Sequence, residues 1–329
     1  MIIFSDSAEF AAEVLPSGLA DGCAPPPAAS ASIRPLVSAL LGDPPGLYAG
    51  SAALPAWTHL FLATDPAGSQ CDQLIALTRN GYDIPDRTAC LARTGTGFRG
   101  FKGRTWTAVP GNIHLAVHFA PGRAIERFEV AFTILAALSV VEAIDGLPGL
   151  RHRPGIRWVN DIVLGDAKVG GVLAYTQTQG RTVNSAVLGI GVNVEATPVV
   201  ESTPFVPAVT SLRDLVSGDG GVSLPVVLGR LLDALARNYD LLLQSGYRPL
   251  LERYRQRSTV TGRNCTICTE ESDMEPSVIA AGRLSAIGDG LELHLDGHDK
   301  PITRGRLLVD RLPAPVGSGR PAARRASGH

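Results

Sequence analysis

The apolar positions of this chain change period along its length, and each change marks an element. From Ser69 to Gly81 the spacing predicts a helix, and Phe128 to Ile144 is apolar on nearly every face, which predicts a helix buried between layers. Thr88 to Arg93 and Gly111 to Phe119 predict strands on either side of a glycine-rich loop. Three further strands are expected at Ile156 to Leu164, Lys168 to Tyr175 and Val183 to Val194, with Gly165-Asp166 as a tight turn between the first two. Strands joined by hairpins predict an antiparallel or mixed sheet, not a doubly wound parallel one, so the expected fold class is α+β. Residues 223–256 read as helices broken at Gly246. Beyond Ser258 the runs shorten. Leu291, Leu293 and Leu295 alternate with Glu292, His294 and Asp296, and about 55 residues of this texture predict a small β-barrel.

The pattern divides the chain into four parts: residues 1–55, 56–256, 257–312 and a tail, 313–329, whose Gly, Ser, Pro and Ala content predicts disorder. Residues 1–55 are rich in Pro and Ala, with short helices expected around Ala8 to Val14 and Ile33 to Leu41. They predict a small docked or mobile extension. Their five acidic residues against the single Arg34 exclude a DNA-binding arm, which must neutralise several phosphates. The chain has 329 residues, 45% of them apolar, with 30 Lys and Arg against 31 Asp and Glu. That balance leaves no global field for nucleic acid or an anionic membrane. The longest apolar stretch, Val130 to Ile144, is interrupted by Glu142 and too short to span a bilayer. With no basic residue before Arg34, a cytoplasmic protein is expected. The five cysteines predict free thiols, and Cys265-Thr-Ile-Cys268 fits a half-buried strand better than a zinc site.

Candidate chemistry concentrates in three blocks. Gly95-Thr-Gly97-Phe-Arg-Gly100 matches a dinucleotide fingerprint, but no helix opens at its third glycine and no acidic residue follows to hold a ribose. No Gly-Lys-Ser/Thr follows either, which excludes a P-loop. What the loop offers is glycine interleaved with Arg93, Arg99, Lys102 and Arg104, then Trp106: a grip for polyphosphate with an indole able to stack on a base. In the second block, Asn160 and Asp161 interrupt apolar positions and are costly there unless paired or used. Lys168 stands seven residues after Asp161, and Gly170 and Gly171 mark a close approach. The third block is Gly189-Ile-Gly191-Val-Asn193. Lysine is rare here, with only Lys102, Lys168 and Lys300, and two of the three fall in these blocks.

Together the motifs resemble the biotin protein ligase family, within the larger group that includes lipoate ligases and shares the core fold of class II aminoacyl-tRNA synthetases. The resemblance rests on Gly103-Arg104-Thr-Trp106, Pro110-Gly111-Asn112, Arg157-Trp158-Val159-Asn160-Asp161, Lys168-Val-Gly170-Gly171-Val-Leu173 and Gly189-Ile-Gly191-Val-Asn193, and it covers roughly residues 56–256. It implies a mixed or antiparallel sheet flanked by helices, with an SH3-like β-barrel after it. The implied chemistry uses ATP, biotin and Mg2+ to form biotinyl-5′-AMP, then transfers biotin to a lysine of a biotin carboxyl carrier protein. Lys168 would bridge the biotin carboxylate and the α-phosphate, with Asp161 and Asn160 beside it and Asp161 near the magnesium. Arg99, Lys102 and Arg104 would hold phosphates, Trp106 would cover the adenine and Asn193 would bond its edge. Ser69, Gln70, Thr94, Gly97, Gly100, Gly170, Gly171, Gly189 and Gly191 would frame biotin. Departures are Phe101 at the second loop arginine, Thr94 at a glutamine, Ser69-Gln70 at a Ser-Thr pair, Val159 at a proline and Arg157 at a lysine. A lipoate or other acyl ligase on the same core, and a non-catalytic binding module, are the alternatives. The oligomeric state stays open, a homodimer included.

Overall fold

A computed structural model describes residues 1–15, 20–24, 33–42, 47–51, 54–100, 103–216, 221–270 and 277–310. Lys102, Phe101 and the tail 313–329 lie outside these. The chain begins with β1 (Ile2–Ser5), α1 (Ala8–Val14), β2 (Ala20–Ala24), α2 (Arg34–Leu41), β3 (Tyr48–Ser51), β4 (His59–Ala63), α3 (Gln70–Arg79) and β5 (Thr88–Ala92). β6 (Ile113–Phe119), β7 (Arg123–Ala124), α4 (Phe128–Asp145), β8 (Pro154–Arg157), β9 (Asp161–Leu164), β10 (Ala167–Gln179) and β11 (Thr182–Val192) follow. Helices α5 (Leu224–Ser245) and α6 (Arg248–Gln256) lead to β12 (Asn264–Cys268), β13 (Val278–Ile287), β14 (Leu293–Leu295) and β15 (Arg306–Val309).

Among the described residues the fold is α+β, with one large mixed sheet in the order β2-β3-β1-β4-β5-β6-β11-β10-β9-β8 and β7 paired to β11. β1, β4 and β5 run parallel; the other ladders are antiparallel. β12 to β15 form a separate four-stranded antiparallel sheet. The strand period separates two faces. Along β11, Ala186, Leu188, Ile190 and Val192 enter the main core, where α4 packs on β10 and β11 and is covered in turn by α5 and α6. Val187, Gly189 and Gly191 face the other side, towards α3.

Helix α4 is buried along most of its length, as its all-round apolar composition requires, and its Ser139 and Glu142 are bonded. Ser139 Oγ donates to Leu135 O and receives Asn238 Nδ2 at 3.0 Å, while Arg253 Nη1 donates to Asn238 Oδ1 at 3.0 Å and pairs with Glu142. Glu142, which interrupts the apolar run in sequence, thus ties α4 to α6.

Two expectations change. Residues 1–55, read as a docked or mobile extension, instead insert β1 between β3 and β4 of the main sheet. The apolar Ile2-Ile3-Phe4 supplies the strand, and Phe10, Ala11 and Val14 bury the adjoining helix. Ile156 to Leu164 is not one strand but a hairpin, β8 turning into β9, with Arg157 opposite Asp161. The turn carries no Gly or Pro and is held by tertiary bonds. Trp158 Nε1 donates to Leu291 O at 2.7 Å, Tyr254 Oη to Val159 O at 2.8 Å, and Asn160 Nδ2 to Val172 O at 2.6 Å.

Candidate active site

Lys168 lies near the start of β10, where the register with β9 shifts between Lys168 and Gly170. Its backbone is fixed on both sides, by N–H to Ala208 O at 2.9 Å and by Thr210 N–H to its own carbonyl at 3.1 Å. Its Nζ is 2.5 Å from Asp161 Oδ1 and 6.0 Å from the centre of the Trp106 ring, and the side chain is 18% exposed. Arg157 approaches the other Asp161 oxygen at 3.8 Å. The β8–β9 turn and the bulge in β10 therefore bring a lysine, a carboxylate and an indole to one point.

That point opens into a cavity of about 530 Å³ between α3, the inner strands and the basic loop. Arg99, Gly100, Arg104 and Trp106 line it from the loop, and Asn160, Asp161 and Lys168 from the β8–β10 turns. Gly171, Gly189, Gly191 and Asn193 form its floor, and Ser69 and Gln70 close the α3 end. The loop folds back on itself: Arg99 bridges Thr105, Gly100 N–H donates to Arg104 O at 2.6 Å, and Trp106 N–H donates to Phe98 O at 3.0 Å. Gly191 has a definite steric role, because a Cβ there would lie 2.4 Å from the Trp106 ring.

Two buried amides in the wall are half satisfied. Gln70 Nε2 donates to Gly68 O at 3.2 Å and Asn193 Nδ2 to Thr210 O at 3.1 Å, which fixes the orientation of both groups. Gln70 Oε1 and Asn193 Oδ1 are buried without a partner among the described residues. A buried carbonyl oxygen left in this state is costly unless a ligand completes it. Both ends of the cavity therefore present an acceptor that awaits a donor.

The model of the biotin/lipoate A/B protein ligase family matches residues 74–193, which include the basic loop, Lys168 and Asn193. The biotin–[acetyl-CoA-carboxylase] ligase of Paracoccus denitrificans is 30% identical over 175 residues, covering 52% of this chain and 71% of that protein. The chain belongs to the biotin/lipoate A/B protein ligase family. The bifunctional ligase/repressor BirA of Bacillus subtilis strain 168 is 31% identical over 169 residues. The match covers 51% of this ligase-family chain and 50% of that protein, so the chain spans about half the length of the Bacillus relatives it matches. In fold, this family member resembles the biotin protein ligase from Aquifex aeolicus in complex with biotin and ATP. The TM-score is 0.57 at 20% identity, over 78% of this chain and 100% of that one.

Three residues singled out from sequence do not line the cavity of this ligase-family chain. Gly170 faces the neighbouring strand, where a Cβ would lie 2.7 Å from Gly191 O. Thr94 turns its hydroxyl to Ala108 O at 3.4 Å, and Gly97 sits exposed at φ +75°. Ser69 lines the cavity while capping α3, its Oγ accepting from Asp72 N–H at 3.4 Å.

Sequence reasoning missed His114 and Arg306. His114 Nδ1 accepts from Trp106 Nε1 at 3.2 Å, which leaves Nε2 to donate to Val109 O at 3.1 Å, and burial pushes the imidazole down to about 4. A histidine on the glycine-bearing face of an otherwise apolar strand was the available signal. Arg306 reaches the cavity from β15, stacked 3.6 Å from the centre of the Phe205 ring. Burial, then the nearby Arg104, pushes its guanidinium down to about 10. No sequence pattern near Arg306 points to that contact.

Proposed function

We propose that this chain is an ATP-dependent biotin protein ligase. The observation that carries the reading is Lys168: an ammonium in the cavity wall, held against Asp161 and beside Trp106, with Arg99 and Arg104 lining the same space. Two anions must meet for a carboxylate to attack an α-phosphate, and a fixed cation between them both relieves repulsion and stabilises the charge that develops. In the first step a biotin carboxylate oxygen bonds to the α-phosphorus and the bond to pyrophosphate breaks, giving biotinyl-5′-AMP. In the second, the amine of a carrier-protein lysine attacks the acyl carbon and AMP leaves. Arg99, Lys102 and Arg104 hold phosphates, and the folded loop excludes water from the mixed anhydride. Asp161 and Asn160 position Lys168 and the β8–β9 turn.

The half-satisfied amides sort the ligands. Asn193 Oδ1 suits the amino group of adenine beneath Trp106, and Gln70 Oε1 suits a ureido N–H. The dithiolane of lipoate carries no such donor, so Gln70 favours biotin over the lipoate alternative. Gly171 and Gly189 keep the floor low beside Lys168 and Cys71, and Gly191 makes room for the Trp106 indole. Asp161 does not suit a resident Mg2+, since Lys168 and Arg157 already neutralise it. No group of three or more His, Cys, Asp or Glu able to hold a metal occurs among the described residues. Any Mg2+ then travels with the nucleotide phosphates.

The partner in this reading is a biotin carboxyl carrier protein, as the name of the Paracoccus relative suggests. We read the four-stranded antiparallel sheet β12 to β15 as this family's SH3-like domain. No helix among the described residues is long and apolar enough to cross a membrane, and a cytoplasmic location belongs to the same reading. The test is pyrophosphate–ATP exchange with biotin and, separately, with lipoate, followed by labelling of a biotin carrier domain. Exchange with biotin and transfer to the carrier are expected. Exchange with lipoate alone overturns the substrate, and binding without any exchange points to a non-catalytic module.

A further inference from the structure

We infer that the N-terminal segment positions the two loops that close the cavity, acting through Asp6 and Glu13. The β1–β4 ladder ends with Ser5 opposite Leu62. Asp6 carries the contact beyond it. Both of its carboxylate oxygens receive the Thr64 amide, at 3.0 and 2.9 Å, and Oδ1 also receives the Thr64 hydroxyl at 2.6 Å. Thr64 is where β4 gives way to the loop that ends in Ser69 and Gln70.

The second loop starts from the same place. Arg93 N–H donates to Ala63 O at 2.9 Å and Thr94 N–H to Thr64 O at 3.2 Å, so the basic loop departs from the backbone that Asp6 holds. Glu13, on α1, pairs with Arg93 Nε at 3.3 Å. The loops then touch, since a Cβ at Gly95 would lie 3.1 Å from Pro66 O. One carboxylate therefore fixes the root of the acyl-side loop, the other fixes the root of the phosphate-side loop, and both come from the first fifteen residues. A local turn cannot explain Asp6, because its partner is 58 residues away and lies past the end of the strand pairing. Charge-assisted bonds of this length are the strong kind and hold geometry where a ladder has stopped.

The consequence for substrate binding rests on the ligase reading, whereas the clamp itself does not. The test uses the full chain with Asp6→Asn, which is isosteric, and Glu13→Gln. Amide hydrogen exchange should quicken about tenfold in residues 64–70 and 93–100 of the Asp6→Asn protein, with α4 and α5 unchanged. In pyrophosphate exchange the same variant should raise KM for biotin about tenfold, with kcat within about twofold of wild type. Glu13→Gln should act in the same direction by about twofold, as its pair with Arg93 is a third exposed. Unchanged exchange in both loops, or exchange quickened equally in α4 and α5, overturns the clamp and leaves Asp6 a structural residue only. If the wild-type protein shows no biotin-dependent exchange, the ligase reading fails by itself, and hydrogen exchange in the loops still decides the clamp.

Discussion

Two sets of buried polar groups, one on each face of the large sheet, are treated in opposite ways. Under α4, α5 and α6, Ser139, Asn238, Glu142 and Arg253 bond one another, and the network links three helices. On the face towards α3, Gln70 and Asn193 each keep a bonded amino group and an idle oxygen. The strands are shared, so the difference lies in what the side chains are arranged to meet. Completed networks contribute stability to the fold, whereas a buried oxygen without a partner costs stability until something completes it.

The largest expected effect falls on the incomplete face. Lys168→Ala should lower biotin-dependent pyrophosphate exchange by a factor of about 10² to 10³ while leaving the unfolding midpoint close to wild type. Near-normal exchange would remove Lys168 from its role. Next comes pH. Burial holds His114 near 4, against 6.5 when unfolded, so between those values the unfolded chain binds more protons. Stability that is full above about pH 6.5 should fall by about 3 kcal/mol towards pH 4. His118, lowered chiefly by burial too, adds in the same sense. Urea midpoints at pH 7 and 4.5 check this, and His114→Phe should flatten part of the slope.

Substitution on the completed face sharpens the contrast. Asn238→Ala leaves Ser139 and Arg253 without their shared partner and should cost about 2 kcal/mol of stability with KM for biotin unchanged. The smallest stability effect is expected at the idle oxygens. Gln70→Leu or Asn193→Leu loses the bond of the amino group to Gly68 O or Thr210 O but also removes the unpaired buried oxygen, so the net change in stability should be less than about 1 kcal/mol. The same variants should weaken biotin and ATP respectively by about tenfold, the worth of one hydrogen bond. Calorimetric titration separates the two ligands, and an Asn193→Leu protein that unfolds as easily as Asn238→Ala would erase the distinction.

Much of this was legible in the chain. The inner sheet followed from strand periods and the Gly165-Asp166 turn, because each strand there has one face in the core and a register its pattern sets. Asp161 and Asn193 stood out as polar residues in apolar strands, and Lys168 as one of three lysines, seven residues after Asp161 across a hairpin. The β8–β9 turn was not, since Trp158, Val159 and Asn160 carry no turn signal and are held by Leu291, Tyr254 and Val172 from distant segments. β1 was obscured by length: four residues among Pro- and Ala-rich neighbours have no period to read. Trp106 was legible as an indole beside a basic loop, but its 6.0 Å approach to Lys168 and its tether to His114 depend on the fold of β6 and β10 and had no local trace.

The insertion of β1 between β3 and β4 also bears on how the protein is made. A ribosome releases Ile2-Ile3-Phe4 before either flanking strand exists, and the triplet stays unsatisfied until His59–Ala63 has emerged. From the emergence of that triplet until that of β4 the growing polypeptide thus carries a sticky apolar segment, the interval in which a holding chaperone has most to protect.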